Sequence, residues 1–306
     1  MPLFNKRAYV GRAIESVQKQ TFRNWELIII DDGSTDGSSK EIPESDARIR
    51  FYDQSNAGPS VARNNGIKKA RGKFVTFIDA DDYYYPFKIE HEMDFLYSKE
   101  SAVWMFSAGN FETKNGIEPG KIYDINNEEV PRQPKLYSNA IKQLKISNWP
   151  IDGLCIRKRL FQQINGFRED MRCYEITEFL FRCALFQPKV FIHPEPLYTV
   201  VRIYGSTSKI LANRTEGLKL MGQSLLDLSK GYSDYSNQLK GLSKTVLLNY
   251  IGSLILAGSK IKARRILMTE FPFPKNAKWF KMWFASVLPY WISRGIAGKK
   301  ILKEFV

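Results

Sequence analysis

Twice within the first 82 residues a run of apolar side chains stops at a cluster of carboxylates. ELIII (26–30) runs straight into Asp31 and Asp32 of DDGSTDGSS, and KFVTFI (73–78) runs into Asp79, Asp81 and Asp82 of DADD. Short, continuously apolar runs of this kind are strands covered by helices on both faces. Helical periods separate them: YVGRAIESVQKQ puts Val10, Ala13, Ile14 and Val17 on one stripe, and VARNNGIKKARG reads as a second helix. RIRFYD adds a strand that leads into the loop QSNAGPS. The alternation predicts an α/β layer fold with a mainly parallel sheet flanked by helices. Ligands bind such sheets at the carboxyl ends of the strands, where both acidic clusters fall. Carboxylates this close raise one another's pKa and repel. Either a cation among them or full solvation relieves that cost, and the local pattern leaves both open.

The chain has 306 residues, 43% hydrophobic and 25% charged, enough for one large domain or a domain with an appendage. Cys155, Cys173 and Cys183 are too few for a disulfide framework, which points to a reducing, cytoplasmic compartment. They read as small buried apolar residues. His91 and His193 are the whole histidine complement and cannot build a His-rich metal site. A metal is therefore expected on oxygen ligands, magnesium or manganese rather than zinc. His91 is expected at the surface of a helix, and His193 in a loop. No signal peptide is legible, and no apolar run reaches the ~18 residues needed to span a bilayer. VLLNYIGSLILAG (246–258) reads as a buried helix.

Further along, a helix is expected over 87–97, then a strand in AVWMFSAG, then a polar and irregular segment over 112–150. DGLCIRKRLFQQINGF reads as strand and helix, YEITEFLFRCALF as a helix, and VFIHPEPLYTVVRIYG as strand-like. Beyond Ser206 the pattern is all-helical. The predicted organisation is a catalytic domain at 1–206 and a helical region at 207–306. The net charge of +14 divides the same way: 207–306 holds 17 Lys and Arg against 5 Asp and Glu, a net +12.

PLFNKRAYVGRAIESVQKQTFRNWELIIIDDGSTDGS followed by SNAGPSVARNNGIKKARGKFVTFIDADD resembles glycosyltransferase family 2. The resemblance is continuous from about Pro2 to Pro86. It rests on both acidic motifs, Asn56-x-Gly58, Ala62-Arg63-Asn64 and Gly66 standing in order. It implies a GT-A (Rossmann-like) fold, a nucleotide-sugar donor, a divalent metal (Mn2+ or Mg2+) and transfer with inversion. Carried over by position, Phe4 lines the nucleotide base and Asp32 accepts from it, most simply from uracil N3–H. Arg63 sits near the nucleotide, Asp79 near the ribose, and Asp81 ligates the metal. Asp82 either supports these residues or is solvated.

Three features depart from the family pattern. The apolar strand that normally precedes P-x-[YF]-N is missing, as expected of a late start site or a truncation, with a genuinely shortened fold as the alternative. It would lie between the strands carrying the two acidic motifs, and its loss leaves backbone groups that cost about 1–3 kcal/mol each if buried unpaired. In the base-bearing segment, YEITEFLFR keeps Glu175 and Glu178 but has Ile176 where the family has Asp. Glu175 is then the candidate base. The alternative is a protein that binds sugar nucleotides but is impaired in catalysis. Glu169 and Asp170 fit a structural segment. Near the domain's end VRIYGSTS puts Tyr204 where the family has His, leaving Arg202 and Ser206 as diphosphate contacts.

The C-terminal stretch FPFPKNAKWFKMWFASVLPYWISRGIAGKKILK interleaves Trp279, Phe280, Trp283, Phe284, Tyr290 and Trp291 with Lys275, Lys278, Lys281 and Arg294. Aromatic and cationic side chains on one segment suit an anionic membrane surface. A helix packed on the domain with a solvated basic face is the competing expectation. No fold for base readout accompanies the charge, which argues against nucleic acid. By family analogy the acceptor is a lipid-linked glycan, reached from the inner face of the cell membrane.

Overall fold

In the computed structural model the described residues are 1–98, 103–119, 134–144, 150–202 and 211–270, together with Met282 and Ser286. They group into two compact units. The first comprises Met1–Lys145, Trp149–Asp170 and Phe179–Tyr204; the second comprises Ile146–Asn148, Met171–Glu178 and Gly205–Val306.

In chain order the elements are β1 (Pro2–Leu3), α1 (Arg7–Gln18), β2 (Leu27–Asp31), β3 (Ile49–Asp53), α2 (Pro59–Lys69), β4 (Phe74–Thr76), β5 (Tyr83–Tyr84) and α3 (Lys88–Ser98). They continue with β6 (Trp104–Thr113), β7 (Gly116–Pro119), β8 (Lys135–Tyr137), β9 (Leu154–Arg157), α4 (Lys158–Gln163), α5 (Glu175–Phe186) and β10 (Val190–Val201). The helices α6 (Leu211–Gly231), α7 (Ser236–Leu256) and α8 (Lys260–Glu270) complete the set.

The first unit is built on β2, which is buried on both faces as its continuous apolar run requires. Leu27 and Ile29 join Val10, Ala13, Ile14 and Val17 of α1, while Ile28 and Ile30 point the other way onto Ala62 of α2. The period of two in the strand thus meets the period of 3.6 in the helix. β1, β2 and β3 form a parallel three-stranded sheet, with Leu3 and Asp53 flanking Asp31. β1 is only two residues long, and Met1 extends it by exchanging backbone hydrogen bonds with Ile28 and Ile30.

The sheet does not continue from β1 to β4. β4 belongs instead to a seven-stranded mixed sheet of order β4-β9-β6-β10-β5, with β7 on β6 and β8 on β10. There β6 and β10 run parallel and the β4–β9, β6–β9 and β5–β10 pairs run antiparallel. The mainly parallel character expected of the sheet is carried by β1–β3 and the β6–β10 pair, with antiparallel pairs completing the larger sheet. The segment 112–150, expected to be irregular, supplies β7 and β8 among its described residues.

In the second unit, Leu218, Met221 and Leu225 of α6, Leu239, Val246, Tyr250 and Leu254 of α7, and Ala263 and Leu267 of α8 are buried. Ser243 Oγ donates to the Gly222 carbonyl (2.9 Å), fastening α7 to α6. Among the described residues no helix is long and apolar enough to cross a membrane. The aromatic and basic stretch from Phe271 onward lies outside the described residues apart from Met282 and Ser286.

Candidate functional site

The carboxyl end of β2 is fastened to two loops by short hydrogen bonds. Asp31 Oδ1 accepts from Ser34 N (2.9 Å), closing the DDGS turn. Gly33 adopts φ +79 there, and an added Cβ would lie 3.2 Å from Asn56 N, so both conformation and space favour glycine. Asp32 is 3% exposed. Its carboxylate accepts from Gln54 Nε2 (2.7 Å), Ala57 N (2.7 Å) and Gly58 N (2.8 Å), and Asn56 Nδ2 donates to its carbonyl (3.0 Å). Asp32 thus pins the 54–58 loop and positions Gly58 and Pro59, which open α2. A carboxylate has about four lone-pair directions, so one is left for an outside donor. From the other side Asn5 joins the same turn: its N donates to Ser34 Oγ (3.0 Å) and its Oδ1 accepts from Thr35 N (2.8 Å). Phe4, just before it, is 46% exposed.

The second cluster follows β4. Asp79 Oδ1 pairs with Arg63 Nη2 at 2.8 Å, the guanidinium being buried on α2 with Phe167 beneath it. Asp81 Oδ2 pairs with Lys6 Nζ at 2.6 Å. Burial, with the Asp79 charge next, raises the Asp81 pKa in spite of that ammonium. Asp82 is 4% exposed and its Oδ1 accepts from Val201 N (2.8 Å). It ties the acidic loop to the end of β10, and its burial rules out the solvated role.

Asp152, which the sequence reading did not single out, is 1% exposed beneath this loop. Its Oδ1 accepts from Asp79 N (3.0 Å), while Oδ2 is buried without a hydrogen-bond partner. One oxygen each from Asp79, Asp82 and Asp152 lie within 4.8 Å of one another. Burial, with the Asp79 charge next, pushes the Asp152 pKa up to about 7; burial and the Asp152 charge raise that of Asp82. This donor set of carboxylate oxygens, one orphaned, fits a hard divalent cation such as Mg2+ or Mn2+.

Asn64 holds the segment after α4 in place. It donates to the Phe167 carbonyl (2.9 Å) and Glu169 Oε1 (3.0 Å) and accepts from Phe167 N (2.9 Å). Asp170 pairs with Arg168. Glu169 thus contacts α2 through Asn64, and Asp170 makes an ion pair with its own segment. Arg202 stacks its guanidinium over Phe111 at 4.4 Å, and Ser206 and Tyr204 lie outside the described residues. Glu175 opens α5 and belongs to the second unit, where Glu178 Oε1 accepts from Ser224 Oγ (2.8 Å). The three cysteines are buried and none is in a disulfide.

Both histidines depart from expectation. His193 lies in β10, not in a loop, and is 3% exposed, with burial lowering its pKa. His91, on α3, is half-buried, its ring stacked on Phe87 and 5.2 Å from that of His193. Fold packing brings the two together across a long stretch of chain, which no local pattern records.

A family model for Glycosyl transferase family 2 matches residues 1–164. An uncharacterized glycosyltransferase of Rickettsia felis is 43% identical over 126 residues, covering 40% of this chain and 20% of that protein. The Escherichia coli UDP-Glc:alpha-D-GlcNAc-diphosphoundecaprenol beta-1,3-glucosyltransferase WfgD is 36% identical over 117 residues, 38% of this chain and 45% of that one. The matches span only about a fifth to a quarter of the length of the first curated relatives. Among solved structures, S. aureus TarS 1-349 in complex with UDP-GlcNAc aligns with a TM-score of 0.63 over 93% of this chain and 88% of that one. At 17% identity that likeness shows the fold, GT-A, and no more. With the model match covering more than half of its residues, the chain belongs to Glycosyl transferase family 2.

Proposed function

We propose that this chain transfers a sugar, with inversion, from a nucleotide-sugar, most simply a UDP-sugar, to a hydroxyl of a glycan acceptor carried on a lipid. The observation that carries the reading is the meeting of the Asp32-anchored loop, the Arg63–Asp79 pair and Asp81 at the carboxyl ends of β2 and β4. Phe4 would cover one face of the base, and the remaining lone pair of Asp32 would accept from the base edge. Asp79, steered by Arg63, would take the ribose hydroxyls. Asp81 would hold Mn2+ or Mg2+ at the edge of the Asp79, Asp82 and Asp152 group, the ion replacing the Lys6 ammonium as its counter-charge. When bound, such an ion neutralises the charge of a departing nucleoside diphosphate. Arg202 and Ser206 are proposed diphosphate contacts, and Glu175 the base that takes the acceptor proton. The donor and acceptor in the name of WfgD, and the ligand of TarS, support a uridine donor and a diphospholipid-linked acceptor. The basic region 207–306 would lie against an anionic membrane surface on the cytoplasmic side, with no nucleic-acid partner.

Calorimetric titration of UDP with and without Mn2+ tests the donor site. Binding that needs the metal, and that Mn2+ no longer supports in Asp81→Asn, is expected. A folded sample that binds under neither condition would sink the donor site. Ile176 favours a second reading, a sugar-nucleotide-binding protein impaired in transfer. Glu175→Gln separates the two: loss of a positioned base slows transfer by roughly 10²–10⁴ with UDP binding unchanged. Transfer at an unaltered rate removes Glu175 as the base.

A further inference from the structure

Away from the acidic edge, α3 and β10 bring together two imidazoles and a carboxylate that sugar transfer does not use. Phe87, His91 and Phe95 recur at four-residue spacing along one side of α3 and its approach. Phe87 stacks on His91, and Phe95 packs against the His193 ring at 5.4 Å. The two imidazole rings lie 5.2 Å apart at 38°. The Nδ1 of His91 is buried with no hydrogen-bond partner. The Nδ1 of His193 faces the Glu195 carbonyl oxygen at 3.4 Å, which favours a proton on that nitrogen and leaves Nε2 free to coordinate.

The strand is irregular at this point. His193 pairs with Ser107 and Pro196 with the next residue, Ala108, so Pro194 and Glu195 form a bulge opposite β6. Bulges re-aim side chains, and prolines on both sides of Glu195 fix its backbone. The exposed Glu195 carboxylate is thereby left beside the two rings. One ring nitrogen from each histidine and one Glu195 oxygen lie within 4.8 Å of one another.

We propose that His91, His193 and Glu195 form a binding site for a borderline divalent metal of the zinc class, separate from the carboxylate site of the transferase. Two imidazoles and one carboxylate are a zinc-type donor set with room for a water as fourth ligand. Tetrahedral bonds of about 2.0–2.1 Å put ligand atoms roughly 3.3 Å apart. Rotation of the exposed Glu195 side chain can supply much of that closure. His193 and His91 sit on a strand and a helix already packed together, so little conformational freedom is lost on binding. The bound ion would clip α3, which follows the acidic loop, to β10.

The test is equilibrium dialysis of the full chain against ZnCl2 with millimolar Mg2+ present to occupy the carboxylate site. One Zn2+ per chain is expected, with a dissociation constant of about 10 µM or tighter, the affinity falling at least tenfold in His91→Gln and in Glu195→Gln. Glu195 is exposed, so its variant keeps the fold. Zn2+ should also raise the Tm of the wild type by about 3 °C or more and leave that of Glu195→Gln unmoved. A wild type that takes up no Zn2+ below about 100 µM overturns the site. So does uptake equal in all three proteins, which would place the ion on other ligands.

Discussion

At the scale of single residues, Asp152 sets the electrostatic character of the acidic edge. Its Oδ1 is used by Asp79 N, and no donor reaches Oδ2. With its pKa raised from 3.8 to about 7 by burial, the folded state holds the proton more tightly than the unfolded chain does between those values. Stability from this group is therefore present at low pH and falls as pH rises through that window. Asn in its place keeps the acceptor for Asp79 N and carries no charge. Asp152→Asn should match the wild type at pH 4 and exceed it by about 1–3 kcal/mol at pH 8, read from urea unfolding. A gap of the same size at both pH values would show that the charge is not the cause. Asp32, Arg63, Asp79 and Asp81 could be singled out as candidates because the motifs that carry them are local. Asp152 was not, because the backbone group it serves belongs to a strand end far away in sequence.

At the scale of elements, helix α6 offers a matched pair of glycines. A Cβ on Gly217 would lie 2.5 Å from the Cys173 carbonyl oxygen, a backbone atom that cannot move aside cheaply. A Cβ on Gly222 would lie 3.5 Å from Leu247 Cγ, ordinary contact. Gly217→Ala should therefore destabilise by about 1–3 kcal/mol. Gly222→Ala should be neutral or stabilise by up to about 1 kcal/mol, since it removes a flexible residue from a helix interior. Thermal unfolding of the two variants checks this, and equal effects would remove the packing argument. The elements themselves were well marked in the first third of the chain, where α1 carries a single apolar stripe and β2 a continuous apolar run. β7 and β8 escaped because short, exposed strands in a polar segment carry little period-two signal. The bulge at Pro194–Glu195 escaped because it depends on the register with β6.

At the scale of the whole molecule, the charge is concentrated at one end of the chain, with a net +12 over 207–306. Basic residues near an anionic bilayer contribute about 1 kcal/mol each, weakened as salt rises. Flotation with vesicles containing about a third phosphatidylglycerol should recover the protein at 50 mM salt and release most of it at 500 mM. Recovery equal on neutral vesicles, or insensitive to salt, would remove the electrostatic reading of this region.

The sequence by itself determined the family, the α/β layering and the placing of both acidic clusters at strand ends. Those follow from local motifs and from apolar periods of 2 and 3.6, which any short window records. Tertiary structure decided what the sequence left open. It split the sheet between a short parallel half and a larger mixed one, and it buried Asp82 and Asp152 together under Asp79. It also set His91 against His193 and turned Glu195 toward them. Each of these pairs residues distant in the chain, and such proximity is fixed by packing and register rather than by local pattern.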